Sequence, residues 1–191
     1  YLDFAKAFDS VDHNLLIHKL QSFGIHGKLL QWFQNYLTNR QQQVTIEGYT
    51  SKLMPVLSGV PQGSILGPIL FLLFINDLPD NSFKGNRTAL FADDAKIYRS
   101  INGHHDCYNL QLELNRLLDW AQTWKMQFNI DKCVRMSITR KINPIKFVYH
   151  MNNQNVKKVD VFRDLGILVK DNLTWDDHVL KNVKKANSIL W

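Results

Sequence analysis

Two stretches of this chain set carboxylates inside apolar, strand-like sequence, Leu2-Asp3-Phe4 and Leu90-Phe91-Ala92-Asp93-Asp94. No other feature restricts the fold as much, because an ionised carboxylate in apolar surroundings costs several kcal/mol unless it is paired or binds a metal. Two arrangements accommodate such acids. In one, Asp93-Asp94 makes a hairpin turn and Asp3 caps the segment after it. In the other, carboxylates brought within a few ångströms repel one another and recruit a hard divalent cation. Side chains alternate along a strand, so Asp93 and Asp94 are expected to be inequivalent, with Asp93, nearer the preceding strand, the stronger ligand candidate. A pair of such cations roughly 3.5–4 Å apart is the usual apparatus of in-line phosphoryl transfer.

The rest of the chain is able to bury such a centre. Its 191 residues are 45% hydrophobic, with eleven Phe and five Trp against nine Gly and five Pro, which excludes a disordered or low-complexity chain. The length allows one compact domain, or one domain and part of another. Two cysteines, Cys107 and Cys133, are too few for a disulfide framework, so a reducing, intracellular setting is expected. The longest apolar run, 65–75, is interrupted by Gly67 and Pro68 and falls short of the roughly 20 residues a membrane span needs. No basic-then-apolar leader opens the chain, and its first residue is Tyr1, so it reads as a piece of something longer.

Charge is unevenly distributed. Residues 132–191 carry 12 Lys plus Arg against 5 Asp plus Glu, whereas residues 1–131 carry 11 against 12. A basic C-terminal third fits an anionic partner, nucleic acid foremost; a solvated basic face without a partner is the alternative.

The hydrophobic pattern predicts a buried strand over 1–4, then a helix carrying Val11, Leu15, Leu20 and Phe23 and stopped by Gly24. A second helix is expected over 28–37 with Leu29, Phe33, Tyr36 and Leu37 on one face. Residues 41–56 read as a hairpin turning at Glu47-Gly48. A Gly- and Pro-containing loop, 58–64, leads to a helix over about 68–78 that is apolar nearly all round and therefore expected to be buried. Residues 88–99 read as strand, acidic turn, strand. The clearest amphipathic helix follows, with Leu110, Leu114, Leu117, Ala121, Trp124 and Phe128 in register and Asp106 as its candidate N-cap. Further strands are predicted at 134–138, 145–149 and 159–169. A last helix is predicted with Thr174 as cap and Val179, Val183, Ala186 and Leu190 facing inward. Strand, helix, strand, acidic turn, strand, helix, strand is the order of a split βαββαβ unit, an α+β fold with an antiparallel sheet and packed helices, in which the strands of Asp3 and Asp93 lie side by side.

The segments Tyr-Leu-Asp-Phe-Ala-Lys-Ala-Phe-Asp-Ser-Val-Asp-His (1–13), Gly-Val-Pro-Gln-Gly-Ser-Ile-Leu-Gly-Pro (59–68) and Leu-Phe-Ala-Asp-Asp (90–94) resemble successive motifs of a reverse transcriptase of the non-LTR, jockey-like retrotransposon type. The likeness continues through 124–133 and 162–167. It implies a right-hand polymerase palm over 1–140 with 41–56 as an inserted hairpin, a primer-grip-like hairpin over 141–170, and the start of a thumb over 171–191. By resemblance, Asp3, Asp93 and Asp94 are catalytic and hold two Mg²⁺ ions, for which Mn²⁺ can substitute, with the Phe4 carbonyl completing a metal shell. Phe8 matches the aromatic that family members set under the incoming sugar; a plain core residue is the alternative. Gly59, Gln62 and Gly63 match the loop against template base and nucleotide. Lys132 matches a lysine near the nucleotide phosphates, with a solvated surface lysine as the alternative. Leu165 and Gly166 match the primer grip, with Arg163 beside them as a phosphate contact.

The implied partners are an RNA template, a DNA primer and deoxynucleoside triphosphates, with no membrane and with a nuclear site of action if the parent element is active. Fingers and endonuclease segments have no counterpart here, so the isolated segment is expected to be inactive or nearly so. A catalytically inactive, nucleic-acid-binding remnant is the competing reading, and an intron-encoded maturase a further one.

Overall fold

The computed structural model describes residues 1–78 and 85–189. Its hub is the opening segment. Leu2 and Ala95 exchange backbone hydrogen bonds of 2.7 and 3.3 Å, while on the other edge Ala5 N–H donates to Gln127, Asn129 N–H to Asp3, and Val134 N–H to Tyr1. The predicted strand over 1–4 is present only as two isolated bridges, Leu2 to Ala95 and Phe4 to Phe128. The reason lies just downstream: Lys6 takes φ 49 and turns the chain into a short 3-10 turn, Ala7–Asp9, before a ladder can lengthen.

The labelled elements are α1 (His13–Ser22), α2 (Gly27–Leu37), β1 (Gln41–Gln42), β2 (Thr45–Ile46), β3 (Tyr49–Thr50), β4 (Met54–Pro55), α3 (Leu66–Ile75), β5 (Asn86–Phe91), β6 (Asp94–Arg99), α4 (His104–Thr123), β7 (Val134–Arg135), β8 (His150–Met151), β9 (Gln154–Asn155), β10 (Lys157–Lys158), β11 (Val161–Asp164), β12 (Ile167–Lys170) and α5 (Asp176–Asn187). The chain is a mixed α/β structure of small sheets. Among the described residues β1 pairs with β4, β2 with β3, β5 with β6, β8 with β9 and β11 with β12, all antiparallel, and β7 with β10 in parallel. The 41–56 hairpin forms as two nested ladders of two residue pairs each, closed by Glu47 at φ 49 and Gly48 at φ 84.

The core lies where α1, α3 and α4 meet, around Leu16, Leu20, Leu70, Phe71, Phe74 and Leu117. One charge sits inside it. The Lys19 ammonium, 2% exposed, bonds to the Phe74 carbonyl and the Asp77 carboxylate and lies over the rings of Phe74, Trp120 and Trp124. Burial pushes its pKa down, and Asp77 opposes that shift.

Several expectations are corrected. α2 buries Leu30 and Leu37 and leaves Leu29 exposed, because its contact with α1 falls one residue away from the predicted stripe. α3 ends at Ile75, and although apolar all round it is covered on one side only, with Ile69 and Leu72 about half exposed. α4 starts earlier than its apolar pattern: Gly103 is the N-cap, and Asp106 reaches back from the first turn to the amides of Asn102 and Gly103. The strand expected over 134–138 is only β7, and 145–149 is not a strand; there Phe147 packs edge-on against Tyr108. Trp175, not Thr174, precedes α5, since Thr174 is engaged with Asn172. α5 buries none of its residues, so Val179 and Val183 face solvent; Leu190 lies outside the described residues. Both cysteines are free and buried. No helix among the described residues is long and apolar enough to cross a membrane.

Candidate active site

The bridge between Leu2 and Ala95 fixes the acids. With these two as an antiparallel pair, the next rung sets Asp3 opposite Asp94, and alternation sends both carboxylates to one face while Leu2, Phe4 and Ala95 enter the core on the other. The β5–β6 turn is Ala92-Asp93, one residue earlier than an Asp-Asp turn, with Ala92 at φ 50. Asp94 therefore opens β6 and Asp93 occupies the turn beside it. Desolvation raises the pKa of Asp94, and the neighbouring charges of Asp93, Asp3 and Asp164 add to the rise. These carboxylates are close enough to repel one another.

Asp3 carries the site's clearest unmet need. Its Oδ2 is buried without a hydrogen-bond partner, with Lys132 Nζ at 3.5 Å. Behind it, the Asp3 amide donates to the Cys133 sulfur at 3.5 Å. The Phe4 carbonyl shares the strand edge of Leu2, the edge that meets β6, and Phe4 itself is held in place by stacking on Phe128 at 4.4 Å. Among the described residues no three His, Cys, Asp or Glu side chains converge as a ready-made metal cage. The donor set still fits Mg²⁺, which is commonly held by one or two carboxylates, with waters and substrate phosphates filling the remaining positions.

Next to the acids, β11 and β12 form a hairpin whose turn is Leu165-Gly166, at φ 46 and 90. It is fastened to the acidic hairpin by the Lys96–Asp164 pair at 2.5 Å and to the opening segment by Tyr1 stacked on Phe162 at 3.8 Å. A cavity of about 230 Å³ lies between them, lined among others by Asp94, Lys96, Phe162, Arg163 and Leu165. Sequence reading missed Asp164 and Lys96. The three-residue step from Asp164 to Ile167 around a turn glycine was its only trace.

The 58–64 loop is strapped to the segment after Asp3. Gly59 N–H donates to Val11 and Val60 N–H to Phe8, both at 2.8 Å, while Gln62 Nε2 donates to Asp9 Oδ1 at 2.8 Å. A Cβ on Gly59, at φ 90, would lie 2.8 Å from Asp9 Cα. Its glycine is thus required by the chain's own backbone. Gly63, at φ 78, has open space around it. Phe8 is half-buried and stacks on Phe71 at 4.3 Å. Asp9, which orients Gln62, was also missed, although it stands inside the quoted opening motif.

The structure thus sets a face carrying Asp3 and Asp94 beside a glycine loop and a clamped hairpin. Residues 1–169 match the family model described as Reverse transcriptase (RNA-dependent DNA polymerase), and the chain belongs to that family. It is 28% identical over 193 residues to the "RNA-directed DNA polymerase from mobile element jockey" of Drosophila melanogaster, covering 97% of this chain and 21% of that protein. It is 32% identical over 183 residues to the same organism's "Probable RNA-directed DNA polymerase from transposon X-element", covering 94% and 20%. It is also 30% identical over 183 residues to the Pol polyprotein of the type-2 element R2DM, again from Drosophila melanogaster, covering 87% and 17%. The chain spans about a fifth of the length of these relatives.

Proposed function

We propose that this chain is the palm of an RNA-directed DNA polymerase, in which a primer 3′-hydroxyl attacks the α-phosphate of a deoxynucleoside triphosphate and pyrophosphate leaves. One observation carries the reading: Asp3 and Asp94 face each other across one rung of a sheet face, with Asp3 Oδ2 buried and without a hydrogen bond, only the Lys132 ammonium standing 3.5 Å away. The hydrogen-bonded order β5, β6, residues 1–5, residues 127–134 supports the palm assignment, because a split βαββαβ sheet places its strands in that order.

Asp3, Asp93 and Asp94 hold two Mg²⁺ ions, with the Phe4 carbonyl as a further oxygen donor. When bound, such ions supply charge stabilisation at the attacking and leaving oxygens. Lys132 stands beside Asp3, where it neutralises phosphate charge. Phe8, anchored on Phe71, presents a ring that crowds a 2′-hydroxyl. Gly63 lets a nucleotide approach the loop backbone, and Gln62, oriented by Asp9, meets the template base. The β11–β12 turn, Leu165-Gly166, holds the primer end, clamped to the acids through Asp164 and Lys96. The basic residues 132–191 engage the RNA template and DNA primer.

The test has two readouts. The 191-residue chain is titrated with Mn²⁺ by electron paramagnetic resonance, and primer extension is measured in a longer parent protein containing this segment. Asp3→Asn and Asp93→Asn are expected to weaken cation uptake and to lower synthesis by about a hundredfold or more, with RNA binding mostly kept. A chain that takes up no divalent cation, or variants that lose folding and RNA binding in step with synthesis, would leave a nucleic-acid-binding remnant as the better reading.

A further inference from the structure

One flank of α2 carries a stacked aromatic column that runs from Tyr36, packed against the core, out to the exposed Trp32. Trp32 stacks on Tyr36 with ring centroids 5.5 Å apart and planes 10° from parallel, and the Arg40 guanidinium lies 5.4 Å above the Tyr36 ring. Phe33 braces Trp32 edge-on at 5.2 Å. The three residues recur every four positions, so they form one line along the helix and just beyond its end. Tyr36 covers one face of Trp32, yet 49% of that residue remains open to solvent. A large indole held at a fixed angle and half exposed is a platform on which another flat group can stack.

The charge around the column selects the kind of flat group. From His13 to Ile46 the chain contains no Asp or Glu, although residues 1–131 as a whole are slightly acidic. Arg40, the exposed end of the column, and Lys28, exposed one turn before Trp32, supply positive charge, and Gln31, Gln34 and Asn35 are exposed on the same helix. Aromatic faces with flanking cations and no acids suit an unpaired nucleic-acid strand, whose bases stack and whose phosphates pair with Lys and Arg. A protein partner for an acid-free basic face would have to bring its own carboxylates.

We infer that the Trp32–Tyr36–Arg40 column on α2 is a stacking platform for unpaired RNA, separate from the carboxylate centre. The choice of RNA over DNA rests on the polymerase reading above. The platform gives the chain a grip on single-stranded RNA independent of metal and nucleotide. Binding there is expected to tolerate sequence, since every base offers a π-face, and to weaken with salt.

The experiment measures fluorescence anisotropy of a labelled, short oligoriboadenylate with the 191-residue chain, its Trp32→Ala, Trp32→Phe and Arg40→Gln variants, and the Mn²⁺ uptake of each. Trp32→Ala is expected to lower affinity about 5- to 150-fold, the range of one lost base–aromatic stack, while Trp32→Phe keeps most of it. Arg40→Gln is expected to reduce the salt dependence by about one phosphate contact. Unchanged affinity in Trp32→Ala with normal cation uptake overturns the platform alone. The same loss of affinity in a chain that binds no cation upholds the platform and removes the polymerase reading. A Trp32→Ala effect seen only as a change of oligomeric state in light scattering, or tighter binding of the matching deoxyadenylate strand, overturns the RNA assignment.

Discussion

Gly59 and Gly63 belong to one loop but obey different constraints. Gly59 is walled in by the Phe8 and Asp9 backbone, so Gly59→Ala must push the loop away from the segment that follows Asp3. We expect a loss of about 2 kcal/mol or more, read as a fall in melting temperature. Gly63→Ala meets only the penalty of a positive φ, about 1 kcal/mol, so it should melt close to the parent while weakening nucleotide binding. Phe8 has two sequence readings, a core residue and a ring under the incoming sugar. It is packed on Phe71, as a core residue would be, and is half-buried. Phe8→Ala in a parent protein should therefore cost stability and also raise the ratio of ribonucleotide to deoxynucleotide incorporation. An unchanged ratio would confine Phe8 to packing.

Helix ends show what pattern reading captures and what it leaves out. Apolar periodicity located α1, α2 and α4 because their buried stripes repeat at the helical period, but the caps depend on side chains reaching back to the backbone. Asp12 caps α1 by accepting from Leu15 N–H at 3.0 Å, and its other oxygen pairs with Lys125 at 2.7 Å. The Lys125 bond, and then the Leu15 amide, hold its pKa below the usual aspartate value against the opposing effect of burial. Lowered in the fold, this carboxyl contributes stability above its unfolded pKa and loses it as pH falls through the folded one. Asp12→Ala should thus cost about 1 kcal/mol at neutral pH. Asp12→Asn retains the cap and loses only the exposed ion pair, worth under about 1 kcal/mol. In chemical denaturation, the gap between Asp12→Asn and the parent should close below the ordinary aspartate range; a gap independent of pH would assign the effect to shape.

At the scale of the whole molecule, Lys19 joins three helices that are far apart in sequence. Its chain leaves α1, and its ammonium meets the end of α3 and the Trp120 and Trp124 rings at the end of α4. Lys19→Ala should cost roughly 2–5 kcal/mol by opening a cavity, while Lys19→Met, of similar volume, should cost clearly less. Equal losses in calorimetry would place the value of Lys19 in its charge. Nothing in the sequence singled out this lysine, because its partners Phe74, Asp77, Trp120 and Trp124 lie 55 or more positions away.

The acids were legible for the opposite reason: a carboxylate in apolar strand sequence is anomalous locally, before any partner is known. The helices were likewise written in the order of residues, since periodicity is a local property of the chain. Which faces are covered was decided in three dimensions. α3 and α5 present apolar stripes that the described residues leave open, because burial depends on what packs alongside and not on the helix itself. The same holds at the centre of the site. The motifs announced Asp3, Asp93 and Asp94 and favoured Asp93, but only the Leu2–Ala95 bridge, a contact across more than ninety positions, set Asp94 on the face of Asp3 and left Asp93 in the turn, because strand register is set by pairing and by the turn at Ala92-Asp93.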